Sequence, residues 1–186
     1  MQLAVSRPAR SVSGADSTTQ ATLLTCTISS RLGPIVLAAR GQRLCGLWFD
    51  GQKHQPDARG WQRDAQHPVL ARTAEQLQRY FGSASGQRSS PARFDVALDL
   101  SSGTAFQQAV WQALLDIPVG STVSYSDLAQ RIGRPQSVRA VAAAVGRNPI
   151  SIIVPCHRVV GRDGSLTGYA GGIERKAALL AHEGAR

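Results

Sequence analysis

No stretch of this 186-residue chain approaches the about 18 consecutive apolar residues of a membrane-spanning helix, which argues against a transmembrane segment. The first residues, MQLAVSRPARSVSGADSTTQ, also lack the roughly 7–15-residue apolar core of a secretory signal. A soluble, intracellular protein, cytoplasmic and without membrane contact, is therefore expected. Cysteine is scarce: Cys26, Cys45 and Cys156 are an odd number without close pairing. That argues against a disulfide framework and against a four-ligand structural zinc site, and leaves a reactive thiol as the special use of cysteine. Lysine is scarcer still, since Lys53 and Lys176 are the only two among 21 basic residues. Acidic residues number 12, and none lies between 131 and 162. What remains is 42% hydrophobic and 18% charged, enough apolar material for one ordinary domain or two small ones, so wholesale disorder is excluded.

The formal net charge of +9 is carried almost entirely by arginine, whose planar fork suits phosphate. Its placement is more telling than its sum. Arg131, Arg134, Arg139, Arg147, Arg158 and Arg162 fall in the stretch that lacks carboxylates, as expected of a surface facing a nucleic-acid backbone.

Residues 1–20 read as an extension without apolar periodicity, and their Ser- and Arg-rich composition also suits an organelle leader. From 21 onward, ATLLTCTIS, IVLAA and LCGLWF are separated by Gly-Pro and Gly-Gln turns, which predicts three short antiparallel strands. A polar loop over 51–68 follows, then a helix through LARTAEQLQRYF with Leu70, Leu77, Tyr80 and Phe81 on one side, and a linker from Gly82 to Ser90. Residues 21–98 thus form a small α/β unit, and 99–186 a second, mainly helical one. In the latter, Thr104 with Gln107 marks a capping box opening a helix that buries Phe106, Val110, Trp111 and Leu114. Ser124 with Asp127 opens another that closes at Gly133. Pro135 is placed in the first turn of a third, carrying Val138, Val141 and Val145. The last two helices, joined by a Gly-Arg-Pro turn, read as a helix-turn-helix, a pattern that helical hairpins with no DNA partner also show.

Asn148-Pro149 precedes ISIIV, a buried-strand pattern stopped by Pro155, after which come Cys156, His157 and Arg158. A thiol at a strand end faces a cleft, and neighbouring arginines, an imidazole and helix N-termini would lower its pKa toward the thiolate. Cys26 and Cys45, without ionisable neighbours in sequence, read as inert. In extended backbone the Cys156 and His157 side chains diverge, so a relay through a water fits better than direct contact. Glu183, in LLAHEG, is a candidate carboxylate to orient His157, and His182 beside it reads as a surface residue at a helix C-terminus.

The run GTAFQQAVWQALLDIPVGSTVSYSDLAQRIG, followed by RAVAAAVGRNPISIIVPCHRVVGRDGSLTGYAGGIERKAALLAHEG, resembles the O6-alkylguanine-DNA alkyltransferases, also called methylated-DNA–protein-cysteine methyltransferases. NPI before PCHRV, with YAGG beginning at 169, is the specific part of the likeness; SSRLGPIVLAA and HPVLARTAEQLQRYF extend it more loosely to the first half. The resemblance implies a ribonuclease-H-like N-terminal domain, and direct repair of O6-alkylguanine in double-stranded DNA by a single-turnover protein without a cofactor. Cys156 would accept the alkyl group. His157, oriented by Glu183, would deprotonate it through a water, and Asn148 would support that network. Arg139 would fill the space left by the flipped base, with Ala140 beside it on the same helix. Tyr125 would press on the adjacent phosphate and hydrogen-bond the guanine. Tyr169, Ala170 and Gly171 would close over the base, with the Ala170 N–H facing O6, and carbonyls of Cys156 and Val159 would accept from the exocyclic amine. A monomer is expected, nucleoid-associated when on DNA, with cooperative binding left open.

Three departures accompany the likeness. Ala142, Ala143 and Val145 stand where many relatives have Gly and Asn. Cys26, Cys45, His54 and His67 do not reproduce the zinc-site spacing of some animal relatives, so no metal is expected. The chain is also too short for the sensor domain of one bacterial relative. Two other readings stay open: a non-catalytic lesion-binding module, indifferent to Cys156→Ala, and a Cys/His hydrolase, indifferent to Arg139.

Overall fold

The computed structural model describes residues 22–82 and 94–185. The extension read over 1–20, and the linker beyond Gly82, lie outside the described residues. Three strands form where the apolar runs predicted them: β1 (Leu23–Ile28), β2 (Ile35–Arg40) and β3 (Arg43–Phe49). They pair antiparallel in the order β3-β2-β1, with Ile28 opposite Ile35 and Arg40 opposite Arg43. A fourth strand, β4 (Gln62–Arg63), lies inside the stretch expected to be loop and pairs parallel with β1, so the sheet is mixed. Its two exposed residues give no alternation to read, and its pairing is purely a matter of backbone geometry. α1 (Pro68–Gly82) lays Leu70, Leu77 and Tyr80 against the sheet. On the opposite face Val36, Ala38, Cys45 and Trp48 form a second apolar cluster under Leu23 and Trp61.

α2 (Ala105–Leu115) opens with the full capping box: Thr104 accepts from the Gln107 backbone and the Gln107 side chain accepts from Thr104 N–H. Its Val110, Trp111 and Leu114 are buried. Ser124 and Asp127 form a second reciprocal cap, at the start of α3 (Tyr125–Arg131), just after the short β5 (Val123–Ser124). Each such cap contributes about 0.5–2 kcal/mol. Just past the Ile132 cap of α3, Gly133 takes a φ of 67°, in the left-handed region that glycine reaches without a Cβ penalty. α4 (Val138–Gly146) follows after residues 132–137; Pro135 sits in the turn ahead of it rather than in its first turn, because Ser137 is the residue at its N-cap. β6 (Val159–Val160) pairs with β5, and α5 (Ile173–His182) closes the fold.

Residues 150–154 are not a strand. Ile150 makes one bridge to Leu47 on the edge of β3, and the chain then coils through turns to Pro155. Two causes are visible. Ile152 takes a φ of 69°, which no strand accommodates. The Asn148 side chain also occupies the ladder groups: Nδ2 donates to the carbonyls of Ile150 and Val154, while Oδ1 accepts from Ile150 N–H. All five residues, four of them apolar with Ser151 among them, are buried, but as a packed plug rather than an extended segment. One core runs through both halves, from Ile35, Leu47 and Phe49 through Trp111 and Val141 to Val154, Cys156 and Leu179.

Candidate active site

Cys156, His157 and Arg158 form one 3-10 turn directly after the buried plug, and all three are buried. Asn148 Nδ2 donates to Cys156 Sγ at 3.1 Å, so one amide both folds the plug and touches the thiol. Burial pushes the Cys156 thiol above its ordinary pKa; the Asn148 hydrogen bond and the charge of Lys176 oppose this without reversing it. The lowered thiol pKa expected from neighbouring charge is thus corrected, because desolvation of the thiolate outweighs them.

His157 is fully buried. Its Nε2 lies 3.0 Å from Glu183 Oε1, a distance at which the carboxylate must accept and the ring must donate. Nδ1 then carries the lone pair, and it is buried with no hydrogen-bond partner among the described residues. Burial holds His157 below its ordinary pKa, and Glu183 only partly offsets that. Glu183 gathers further donors. Arg158 Nε and Nη2 reach Oε2 and Oε1 at 2.8 and 2.9 Å, and the Tyr80 hydroxyl reaches Oε1 at 2.8 Å. Burial alone would raise the Glu183 pKa; the hydrogen bonds from His157 and Arg158 overcome it and hold the carboxyl well below its usual range. His157 therefore rests neutral near pH 7 beside an ionised carboxylate.

A cleft of about 670 Å³ lies nearby, reached from Cys156 through Tyr125 and Tyr169, which sense the charge of that thiol; its charged lining residues, Lys53, Arg139 and Arg147, are all cationic. Tyr125, Tyr169 and Ala170 share it. Trp111 Nε1 donates 2.8 Å to the Ala144 carbonyl and so pins α4, leaving Arg139 and Ala140 exposed on its outer face. The Tyr125 hydroxyl makes a long 3.4 Å contact with the Gly168 carbonyl. Burial, and then the proximity of Cys156, raise the Tyr169 phenol well above its ordinary pKa. Gly171 is buried with no room for a side chain: a Cβ would lie 2.7 Å from Tyr169 Cε1 and 3.1 Å from Phe49 Cδ2. The closing loop is fastened to the N-terminal half. Lys53 N–H donates to the Ala170 carbonyl at 3.0 Å, and Arg175 bridges the carbonyls of Leu32 and Gly171 with its guanidinium over the Phe49 ring. The Val159 carbonyl, expected to meet a guanine amine, accepts a 2.6 Å hydrogen bond from Lys176 Nζ, which leaves it one further lone pair.

Several residues stand elsewhere than the sequence suggested. Arg158 is a buried partner of Glu183, not a phosphate-facing arginine. His182 is half-buried, with Nε2 2.6 Å from the Tyr80 carbonyl and its ring edge-on to that of Tyr80. The sequence reading missed Lys176, fully buried with Nζ on the carbonyls of Val159 and Thr167. A signal existed: Lys176 shares one face of α5 with Leu179 and Leu180, and Glu183 follows seven residues on. It also missed Tyr80, which is 103 residues from Glu183 in sequence and left no signal.

The model of the 6-O-methylguanine DNA methyltransferase ribonuclease-like domain matches residues 23–100, and that of the DNA-binding domain matches residues 105–185. A methylated-DNA–protein-cysteine methyltransferase of Mycobacterium tuberculosis is 48% identical over 160 residues, covering 86% of this chain and 92% of its own length. One from Haemophilus influenzae is 40% identical over 152 residues, 81% of this chain and 80% of its own. The solved O6-methylguanine methyltransferase of M. tuberculosis superposes with a TM-score of 0.76 at 46% identity, over 89% of this chain and 94% of that one. M. tuberculosis OGT in complex with DNA gives 0.74 at the same identity, over 88% and 92%.

Proposed function

Since the chain belongs to the O6-methylguanine DNA methyltransferase family, we propose that it repairs O6-alkylguanine, chiefly O6-methylguanine, in duplex DNA by moving the alkyl group irreversibly onto Cys156. The observation that carries this reading is the His157–Glu183 pair beside a buried thiol, with Tyr125 and Tyr169 joining that thiol to a cleft whose charged lining is cationic. The lesion atom lies inside the stacked duplex, so the nucleotide must rotate out to reach Cys156. Arg139 and Ala140, exposed on α4, meet the duplex, and Arg139 occupies the vacated stack. Tyr125 and Tyr169 flank the extrahelical purine, with Tyr125 on the neighbouring phosphate, Ala170 N–H toward O6 and Gly171 allowing the loop its close approach. Carbonyls of Cys156 and Val159 take the exocyclic amine.

The raised thiol pKa means the thiolate forms only as the reaction begins. His157 Nδ1 accepts the Cys156 proton through a water, Sγ forms its bond to the alkyl carbon, and the C–O6 bond breaks with its electron pair on guanine. Guanine takes up one proton as it leaves, which balances the one removed from the thiol. Asn148 and Lys176 stabilise the transient thiolate, and Glu183 stabilises the imidazolium. The thioether is not hydrolysed, so each molecule acts once. The non-catalytic lesion-binding alternative is not favoured, because the relatives carry methyltransferase names over most of their length.

Intact-protein mass spectrometry after mixing with an equimolar duplex carrying one O6-methylguanine tests the reading. Gain of one methyl group by the wild type and none by Cys156→Ala is the expected result. No mass change on a duplex that is nevertheless bound would overturn it.

A further inference from the structure

Glu183 Oε1 is crowded. It accepts from His157 Nε2 at 3.0 Å, from Arg158 Nη2 at 2.9 Å and from the Tyr80 hydroxyl at 2.8 Å, whereas Oε2 accepts from Arg158 Nε. Two of these partners belong to the catalytic turn. The third comes from α1, in the other half of the molecule. Tyr80 is 4% exposed and closely held: its ring meets Phe81, Phe94 and His182, and its carbonyl lies 2.6 Å from His182 Nε2. The two consecutive residues His182 and Glu183 thus clasp Tyr80 by its backbone and by its hydroxyl. Burial and the adjacent carboxylate push the phenol far above its ordinary ionisation range, so the hydroxyl donates to Glu183 at every working pH.

We propose that Tyr80 is a positioning residue of the transfer reaction: its hydroxyl, delivered from the N-terminal unit, shares Glu183 Oε1 with His157 and sets how strongly that carboxylate holds the imidazole. The proposal rests on the alkyl-transfer reading above. An oxygen with three donors gives less of its charge to each than an oxygen with two. The groups that face His157 are Cys156 and Arg158 from its own turn, and Lys176 and Glu183 from α5; Tyr80 acts on it from α1 through Glu183. Tyr80 acts through a neutral hydrogen bond to Glu183 that can be removed with a single atom.

Tyr80→Phe deletes that donor and keeps the ring and the His182 clasp. Glu183 then binds His157 more tightly and favours the imidazolium, so the histidine, now held below its ordinary pKa by burial, moves back up. Transfer needs the neutral ring, so the acid limb of the rate profile moves to higher pH by about 0.5–1 unit. On that limb the variant is slower by about three- to tenfold at a given pH. A fluorotyrosine placed at 80 alone is a stronger donor and moves the limb the other way.

The experiment pairs two readouts on the full chain: an NMR titration of the His157 ring, and the single-turnover rate against pH on an O6-methylguanine duplex with protein in saturating excess. Shifts of opposite sign for phenylalanine and fluorotyrosine, present in both readouts, are expected. An unmoved limb and an unmoved titration in either variant would overturn the proposal, as would a uniform rate loss that leaves the limb in place, the mark of a merely structural role. If the wild type transfers no alkyl group, the repair reading fails, while the substrate-free titration still decides whether Tyr80 controls His157.

Discussion

Glu183→Gln changes one atom in a site that cannot adapt to it. The Glu183, His157 and Arg158 side chains are 1%, 0% and 9% exposed, so bulk solvent does not readily replace a lost partner. The carboxylate accepts four hydrogen bonds, three on Oε1 and one on Oε2. A glutamine offers one carbonyl oxygen and one NH2, so whichever way the amide turns, a donor faces a donor. Each buried donor left unsatisfied costs about 1–3 kcal/mol. The guanidinium of Arg158 also loses its counter-charge, and removing one partner of a buried pair costs about 3–5 kcal/mol altogether. Against a total stability of roughly 5–15 kcal/mol this is severe, yet it leaves a folded population to assay. Urea unfolding near neutral pH, followed by far-UV circular dichroism, measures it directly. The cause is separable from simple loss of contacts by adding Arg158→Met, which removes the stranded charge. The double variant should then be less destabilised than the sum of the singles by more than about 1 kcal/mol. Additive effects, or a Glu183→Gln cost under about 1 kcal/mol, would refute the reasoning.

Stability against pH should be bounded on both sides. His157 is depressed from its ordinary 6.5 and Glu183 from 4.5, so their contributions are present above those values and are lost as pH falls; Cys156 is raised from 9.0, so its contribution is present below that value and is lost as pH rises. Thermal melts should peak between about 6.5 and 9.0, and Cys156→Ala should make the alkaline side less steep, the raised thiols of Cys26 and Cys45 remaining, while leaving the acid side as it is. Gly171→Ala forces a methyl against Tyr169 and Phe49, which should cost about 1–3 kcal/mol in urea unfolding and slow transfer more than it weakens DNA binding. Arg139→Ala should slow transfer from a duplex by about 10–100-fold, the scale of an unstacking cost of a few kcal/mol, and leave transfer from the free modified base nearly unchanged, as paired single-turnover assays would show.

The parts of this molecule that were legible in sequence are those governed by local chemistry. Both capping boxes, the three apolar strands and the buried faces of α1 and α2 follow from spacings of a few residues. The 156–158 turn and the plug before it were legible as composition but not as shape. ISIIV has the apolar run of a strand, and an asparagine two residues upstream redirects its hydrogen bonds into a coil, a tertiary effect that no propensity encodes. Charge was legible as a sum and misleading one residue at a time: Arg158 joins the run of arginines in sequence and turns inward in space. Lys176 was readable from helical periodicity, whereas Tyr80 needed the fold, because only packing α1 against the end of α5 brings its hydroxyl to Glu183.

Cys156 is a member of the one apolar core that spans both halves. A methyl group added there is an overpacking mutation made by the reaction itself, worth roughly 1–3 kcal/mol and thus about a 5- to 150-fold change in the unfolded fraction. Neither half can shed that strain to the other, because the plug bridges β3 and the closing loop is tied to Lys53 and Leu32. A spent molecule should therefore loosen as a single unit, so that the lesion, once moved from DNA to protein, is carried on as strain in the core that both halves share.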